Sequence, residues 1–151
     1  MSGTLSDGGI RNAVLAGLIT IRPFNDFNVQ PSSIDLTLAE ELILFPGKFK
    51  LAHTAEWVEL SDVIQGQVHG RSSVGRLGVL VHFTAGLIDP GFKGYITLEC
   101  MAFDEPQTFF AGDRIAQLSF NWLDRAAEQP YAGRYQNQPG TVESRFRHGR
   151  D

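Results

Sequence analysis

Downstream of Pro23 the sequence breaks into short apolar stretches separated by glycine, proline, asparagine and aspartate, and this rhythm restricts the fold more than any other feature. The stretches are Ile34–Leu38, Glu41–Phe45, Phe49–Ala52, Glu56–Leu60, Gln67–His69, Gly78–Phe83, Tyr95–Met101, Gln107–Phe110 and Ile115–Trp122. Breaks fall at Pro46-Gly47, Asp89-Pro90-Gly91 and Ala111-Gly112-Asp113. Many short strands with regular turn signals make a β-sandwich or barrel. A single helix precedes them: Ser6 is a fitting N-cap, Asp7 suits the first turn, Ile10, Val14 and Leu18 recur at helical spacing, and Gly17 is a stop. The pattern predicts a helix over Ser6–Ala16 and an extended Leu18–Ile21.

At 151 residues, with 42% hydrophobic and 20% charged residues, the chain has the size and composition of one ordinary domain with its own core. Its net charge of −4 argues against wrapping duplex nucleic acid, which calls for a basic stripe, but leaves room for a single nucleotide held by a few local cations. Cys100 is the single cysteine, so an intrachain disulfide is excluded. No apolar run approaches the roughly 18 to 20 residues of a membrane span. The opening Met1-Ser2-Gly3-Thr4 lacks the basic-then-apolar layout of a signal peptide. The expectation is a cytoplasmic protein with neither a nucleic-acid nor a membrane partner.

The stretch from Gln129 to Asp151 differs from the rest. It is polar, rich in Gly, Gln and Arg, and concentrates positive charge at Arg134, Arg145, Arg147 and Arg150. A frayed tail and a mobile arm closing over an anion both fit it. The chain therefore divides into a β domain over 1–128, with its N-terminal helix, and a C-terminal arm over 129–151.

Three segments carry polar residues suited to chemistry. Gly70-Arg71-Ser72-Ser73-Val74-Gly75-Arg76 packs two arginines, two hydroxyls and exposed backbone amides into seven residues. Arginine forks and hydroxyl donors match phosphate oxygens, although a polar turn ending a strand has the same composition. It is not a Gly-Lys-Ser/Thr phosphate loop. Thr84-Ala85-Gly86-Leu87-Ile88-Asp89-Pro90-Gly91-Phe92-Lys93-Gly94 reads as a hairpin tip, where Asp89 fits a turn-starting role. Glu99 stands inside an apolar strand, on the face of Tyr95 and Thr97. It either faces solvent or, if enclosed, serves as a general acid or base. The histidines, His53, His69, His82 and His148, show no metal-ligand spacing, His82 fits a core position, and the zinc deaminase pattern is absent. A Gly-x-Ser-x-Gly nucleophile turn is absent too.

In this order and spacing the segments resemble the dCTP deaminase branch of the trimeric dUTPase superfamily, from Leu5 to about Arg145. The matching runs are Gln30–Leu36, Gly70–Gly78, Val81–Phe92, Leu98-Glu99, Gly112–Leu118 and Tyr135–Gln138. The resemblance implies a mainly β, distorted-barrel or jelly-roll-like subunit, forming a homotrimer with active sites between subunits. It implies a magnesium-bound deoxynucleoside triphosphate, dCTP or dUTP, and no zinc. Glu99 would shuttle protons while water attacks C4 of cytosine, and Ser72 and Arg76 would hold the water and the developing charge. Asp89 would activate a water against the α-phosphorus, as in dUTPases, and Asp35 matches a motif of the metal-water shell. The backbone of Thr84, Ala85, Gly86 and Ile88 would read the pyrimidine edge, with Phe92 against the deoxyribose. Arg71 and Ser73 would serve the phosphates, with Gln117, Tyr131, Arg134 and Gln138 at further substrate-contacting positions. The sequence departs from the family between Phe45 and Pro46, where some tens of residues are missing, in a shortened Pro130–Tyr135, and at Ala102, where asparagine is common.

The foremost reading is a bifunctional enzyme converting dCTP to dUMP, ammonia and pyrophosphate. A deaminase stopping at dUTP, a dUTPase without deamination and a nucleotide-sensing protein without turnover are the alternatives. Glu99 weighs against the plain dUTPase, which usually lacks that acid.

Overall fold

Ser6 caps the first helix in the computed structural model, which describes residues 3–146: its side chain accepts from Gly9 N at 3.3 Å, and Asp7 occupies the first turn. Helix α1 spans Asp7–Leu15 and buries Ile10 and Ala13. The strands follow as β1 (Gly3–Thr4, ahead of the helix), β2 (Ile19–Arg22), β3 (Val29–Gln30), β4 (Ser33–Thr37), β5 (Leu42–Leu44), β6 (Phe49–Leu60) and β7 (Ile64–Gly70). After a short helix α2 (Ser72–Gly75) come β8 (Val79–Val81), β9 (Leu87–Ile88), β10 (Lys93–Ala102), β11 (Gln107–Phe109) and β12 (Arg114–Trp122).

The mainly β expectation holds. One sheet has the order β3-β4-β12-β7-β9, with β1 beside β12; a second has the order β2-β6-β10-β8; β5 and β11 form a third, two-stranded piece. One hydrophobic core draws on both large sheets: Leu36, Leu118 and Phe120 from the first, and Val58, Leu98 and Cys100 from the second. Each such side chain contributes about 1.5–3 kcal/mol by leaving water. The sheets stay open rather than closing into one continuous barrel. No helix among the described residues is long and apolar enough to cross a membrane.

Three local readings change. The Gly70–Arg76 run contains a second helix, α2, so the N-terminal helix is not alone. Phe49–Ala52 and Glu56–Leu60 join in one twelve-residue strand, because His53, Thr54 and Ala55 include no turn former and the alternation of buried residues runs through them. The expected strand over Gly78–Phe83 shrinks to Val79–Val81, because His82 adopts φ 57° and turns the chain.

The polar tail runs back over β10 as far as it is described. Asn137 N donates to Lys93 O (2.8 Å), Tyr95 N to Gln138 O (3.2 Å), Thr97 Oγ1 to Gly140 O (3.3 Å), and Val142 N to Thr97 Oγ1 (3.2 Å). Arg147, His148 and Arg150 of the expected arm lie outside the described residues.

Glu56 joins the two large sheets. Only 4% exposed, its carboxylate accepts from Thr37 N (2.9 Å) and Thr37 Oγ1 (2.7 Å), beside the irregularity where β12 pairs with β4. Burial raises its pKa above the ordinary 4.5, against the lowering effect of the Thr37 hydrogen bonds. The folded state therefore holds this proton more tightly than the unfolded chain. The stability linked to it is fully present below 4.5 and is lost as pH rises through the folded value. Glu56→Gln keeps an acceptor for Thr37 and removes the titration. Chemical denaturation should find the variant gaining stability relative to wild type as pH rises from 4 toward 8; a pH-independent difference would contradict this assignment.

Candidate active site

Strand β10 alternates cleanly: Ile96, Leu98 and Cys100 are buried, while Tyr95, Thr97 and Glu99 lie on the opposite, half-exposed face. This places the carboxylate where the sequence expects it. Glu99 stands opposite Leu51 of β6 in the ladder. Burial pushes the neighbouring Cys100 thiol up to about 12, with the Glu99 charge adding to the effect, so this cysteine is no nucleophile.

The loop after β8 is folded onto Glu99. His82 N donates to Glu99 O (2.6 Å), and Glu99 N donates to His82 Nδ1 (3.4 Å). His82 Nε2 lies 2.7 Å from Ala85 O. One arrangement serves both contacts, with Nδ1 accepting from Glu99 N and Nε2 donating to Ala85 O. His82 is thus a strut between strand and loop rather than a core residue. Thr84 Oγ1 donates to Glu99 Oε2. Farther on, Val68 N donates to Gly86 O (2.8 Å), and a Cβ at Gly86 would stand 3.0 Å from Val68 O, so the close approach calls for glycine. Ile88 then pairs with Gly66 of β7. Phe92 N closes a turn on Asp89 O (3.1 Å), which leaves the Asp89 side chain exposed.

These elements enclose a cavity of about 910 Å³. Its wall brings together Glu99, Asp89, Ala85, Ile88, Phe92, Tyr131 and Gln138 of the expected site, with Thr84 tied in through Glu99. Sequence reasoning did not find His82, Thr97, Tyr135 and Val142, which also line it. The alternation that places Glu99 also places Thr97, and His82 and Tyr135 fall within the matching runs Val81–Phe92 and Tyr135–Gln138; nothing in the sequence marks Val142. Gln138 is 7% exposed and spends its amide on Tyr95 O (2.6 Å).

The remaining expected residues gather elsewhere. Ser72, Ser73 and Arg76 are exposed on and after α2, outside the cavity wall. Asp35 is 2% exposed, and Arg71 Nε (3.1 Å) and Arg114 Nη1 (3.4 Å) hold its two oxygens. Arg71 also donates through Nη1 to Arg114 O (3.0 Å). Gln117 donates to Gly70 O (3.1 Å) and accepts from Ser33 Oγ (3.2 Å), which fixes it beside the start of α2. Arg134 and Arg145 meet in the tail, where Arg134 Nη1 donates to Arg145 O at 3.2 Å. No group of three His, Cys, Asp or Glu among the described residues is arranged to hold a metal ion.

The sequence model of a family described as dCTP deaminase-like matches residues 38–123. That span runs from the end of β4 to just past β12 and includes Glu99, Asp89 and α2. The chain belongs to the dCTP deaminase-like family.

Within it, the chain is 38% identical to a dCTP deaminase, dUMP-forming, of Mycobacterium avium, over 93% of this chain and 94% of that protein. It is 36% identical to the protein of the same description from a Sulfurihydrogenibium species, over 97% and 99%. Among solved structures it is similar to the 2′-deoxycytidine 5′-triphosphate deaminase of Agrobacterium tumefaciens (TM-score 0.70, 20% identity), covering 80% of this chain but 48% of that one. The EIAV dUTPase follows the same fold (TM-score 0.59, 21% identity), covering 75% of this chain and 95% of the other. The Mycobacterium alignment runs over 179 positions although this chain has 151 residues, so the relative carries segments without counterpart here. At the expected gap, Lys48 N donates to Phe45 O (3.0 Å) in a tight turn joining β5 directly to β6.

Proposed function

We propose that this protein converts dCTP and water to dUMP, ammonia and pyrophosphate, as a cytoplasmic homotrimer whose active sites lie between subunits. The observation that carries it is Glu99, held by Thr84 and the His82 loop at the wall of a cavity of nucleotide size. Relatives described as dUMP-forming dCTP deaminases, aligned over nearly the whole chain, support it.

In the deamination, one carboxylate oxygen of Glu99 is fixed by Thr84, and the other oxygen acts on the proton. Glu99 takes a proton from the water attacking C4 and returns it to the departing amino group, so that dCTP and water give dUTP and ammonia. Ala85, Gly86 and Ile88 present backbone groups to the pyrimidine edge, and Phe92 packs against the deoxyribose. In the second step Asp89 takes a proton from a water attacking the α-phosphorus; the bond to the β-phosphate oxygen breaks, leaving dUMP and pyrophosphate.

The cavity wall carries Glu99, Asp89 and Glu143 and, among the described residues, one lysine, Lys50, but no arginine. A triphosphate needs more cations than that lysine, and the segment around α2 of a second copy supplies them: Arg76 and Ser72 at the attacking water, Ser73 and Arg71 at the phosphates. Gln117 supports that group through Gly70, Tyr131 lines the cavity from the tail, and Arg134, next to Gly133, is proposed to reach the phosphates from there. Magnesium, a hard oxygen-seeking ion, comes with the triphosphate and neutralises its charge. Both oxygens of Asp35, the position matched to the metal-water shell, are already held by arginines, whereas Asp89 is exposed in the cavity wall and would face the metal's bound water.

Incubation with dCTP and Mg²⁺, with products resolved by chromatography, should give dUMP, pyrophosphate and ammonia in equal amounts without accumulation of dUTP. Accumulating dUTP would restrict the enzyme to deamination, and dCTP left without ammonia release would overturn the proposal. Glu99→Gln should lower ammonia release by about 10² to 10⁴-fold, the usual worth of general acid–base catalysis. Its dCTP affinity should stay within a few-fold of wild type.

A further inference from the structure

The shortened connection between the β domain and its tail is built around one aromatic ring. Tyr131 N donates to Pro90 O (2.7 Å), anchoring the connection on the turn that carries Asp89 and Phe92. The Tyr131 ring then lies across Gly133, where a Cβ would fall 2.7 Å from Cε2 and 2.8 Å from Cζ and Oη. Its hydroxyl accepts from Tyr135 N at 3.1 Å, and its ring meets Phe92 at 6.0 Å. From Tyr135 onward the tail follows β10, and Tyr135, Gln138, Val142 and Ser144 reach the Glu99 cavity.

We propose that Tyr131 is a positioning residue, a hinge pin whose ring fills the space above Gly133 and so directs the tail over the Glu99 cavity of its own chain. This rests on the nucleotide reading of that cavity. The seat is specific because it depends on the missing Cβ of Gly133. A methyl group there cannot share the space with the ring, and a ring swung aside gives up its bond to Tyr135 N. The tail then loses its direction at the residue before it meets β10, although the β10 ladder itself is untouched. The shortness of the connection makes the pin effective, since few residues remain to absorb an error of direction between Pro130 and Tyr135. The Tyr131 hydroxyl thereby serves the chain's own backbone.

A double-mutant cycle on the full chain tests this. Its members are Gly133→Ala, Tyr131→Leu and the two combined, with Tyr131→Phe as a milder variant that keeps the ring. One readout is the rate of limited trypsin cleavage after Arg134 and Arg145, assigned by mass spectrometry; the other is KM and kcat for dCTP. Gly133→Ala should raise both the cleavage rate and KM by about tenfold with kcat within twofold, the signature of lost uniform binding. Tyr131→Leu should do the same, and the added methyl should then have no further effect in the Tyr131→Leu background. Tyr131→Phe should fall between wild type and Tyr131→Leu. A Gly133→Ala protein cleaved like wild type, or two substitutions whose effects multiply, would overturn the pin. Wild-type protein inactive on dCTP would instead remove the nucleotide reading, while the cleavage rates still decide the geometry.

Discussion

Strand β10 spends alternate residues on two incompatible environments. Ile96, Leu98 and Cys100 enter the core between the sheets, and the ladder to β6 fixes that face along nearly the whole strand. Tyr95, Thr97 and Glu99 are thereby forced to the other side. A slip of one residue would bury Glu99 and expose Leu98, at a cost no loop could offset. The loop after β8 and the tail then attach to this strand through its backbone or its outward side chains: His82 to Glu99, Asn137 to Lys93, Gln138 to Tyr95, and residues 140 and 142 to Thr97. The site therefore takes its geometry from a buried ladder, which holds Glu99 in the cavity wall.

The distribution of charge divides the expected machinery in two. Among the described residues the cavity wall carries the acids Asp89, Glu99 and Glu143 with one lysine, Lys50, whereas Arg76 stands exposed just after α2 and Arg71 is engaged with Asp35. A highly charged triphosphate bound to one chain alone would meet three carboxylates against one lysine, Lys50, among the described wall residues. On the proposed reading, joining the two halves across a subunit boundary would balance these charges, with the exposed four-residue α2 presenting two serines just ahead of an arginine. The buried Asp35 ties β4 to Arg71, just before α2, and to Arg114 at the start of β12.

Much of this was legible in the sequence, and what was not has physical causes. The strand rhythm, the Ser6 cap and the alternation around Glu99 are local, and local rules recovered them. Helix α2 leaves no helical signal in the Gly70–Arg76 run because four residues are too few to show a 3.6-residue period. The His82 strut depends on a positive φ that no neighbouring residue announces. The seat of the tail escaped for a different reason: it is made by backbone hydrogen bonds and by a missing Cβ at Gly133, and neither leaves an apolar pattern. Asp35 matched a motif of the metal-water shell, yet its pairing with two arginines depends on residues 36 and 79 positions away in the chain.

The central claim is that each active site combines the Glu99 cavity of one chain with the α2 residues of another. Subunit mixing tests it directly. Arg76→Ala and Glu99→Gln chains, each inactive alone, are refolded together in equal amounts and assayed for ammonia release from dCTP. Random assembly pairs a native Glu99 with a neighbour's native Arg76 in about a quarter of the sites, and the account predicts activity restored to that level. Mixed assemblies as inactive as their parents would show that both residues act within one chain, and would contradict it.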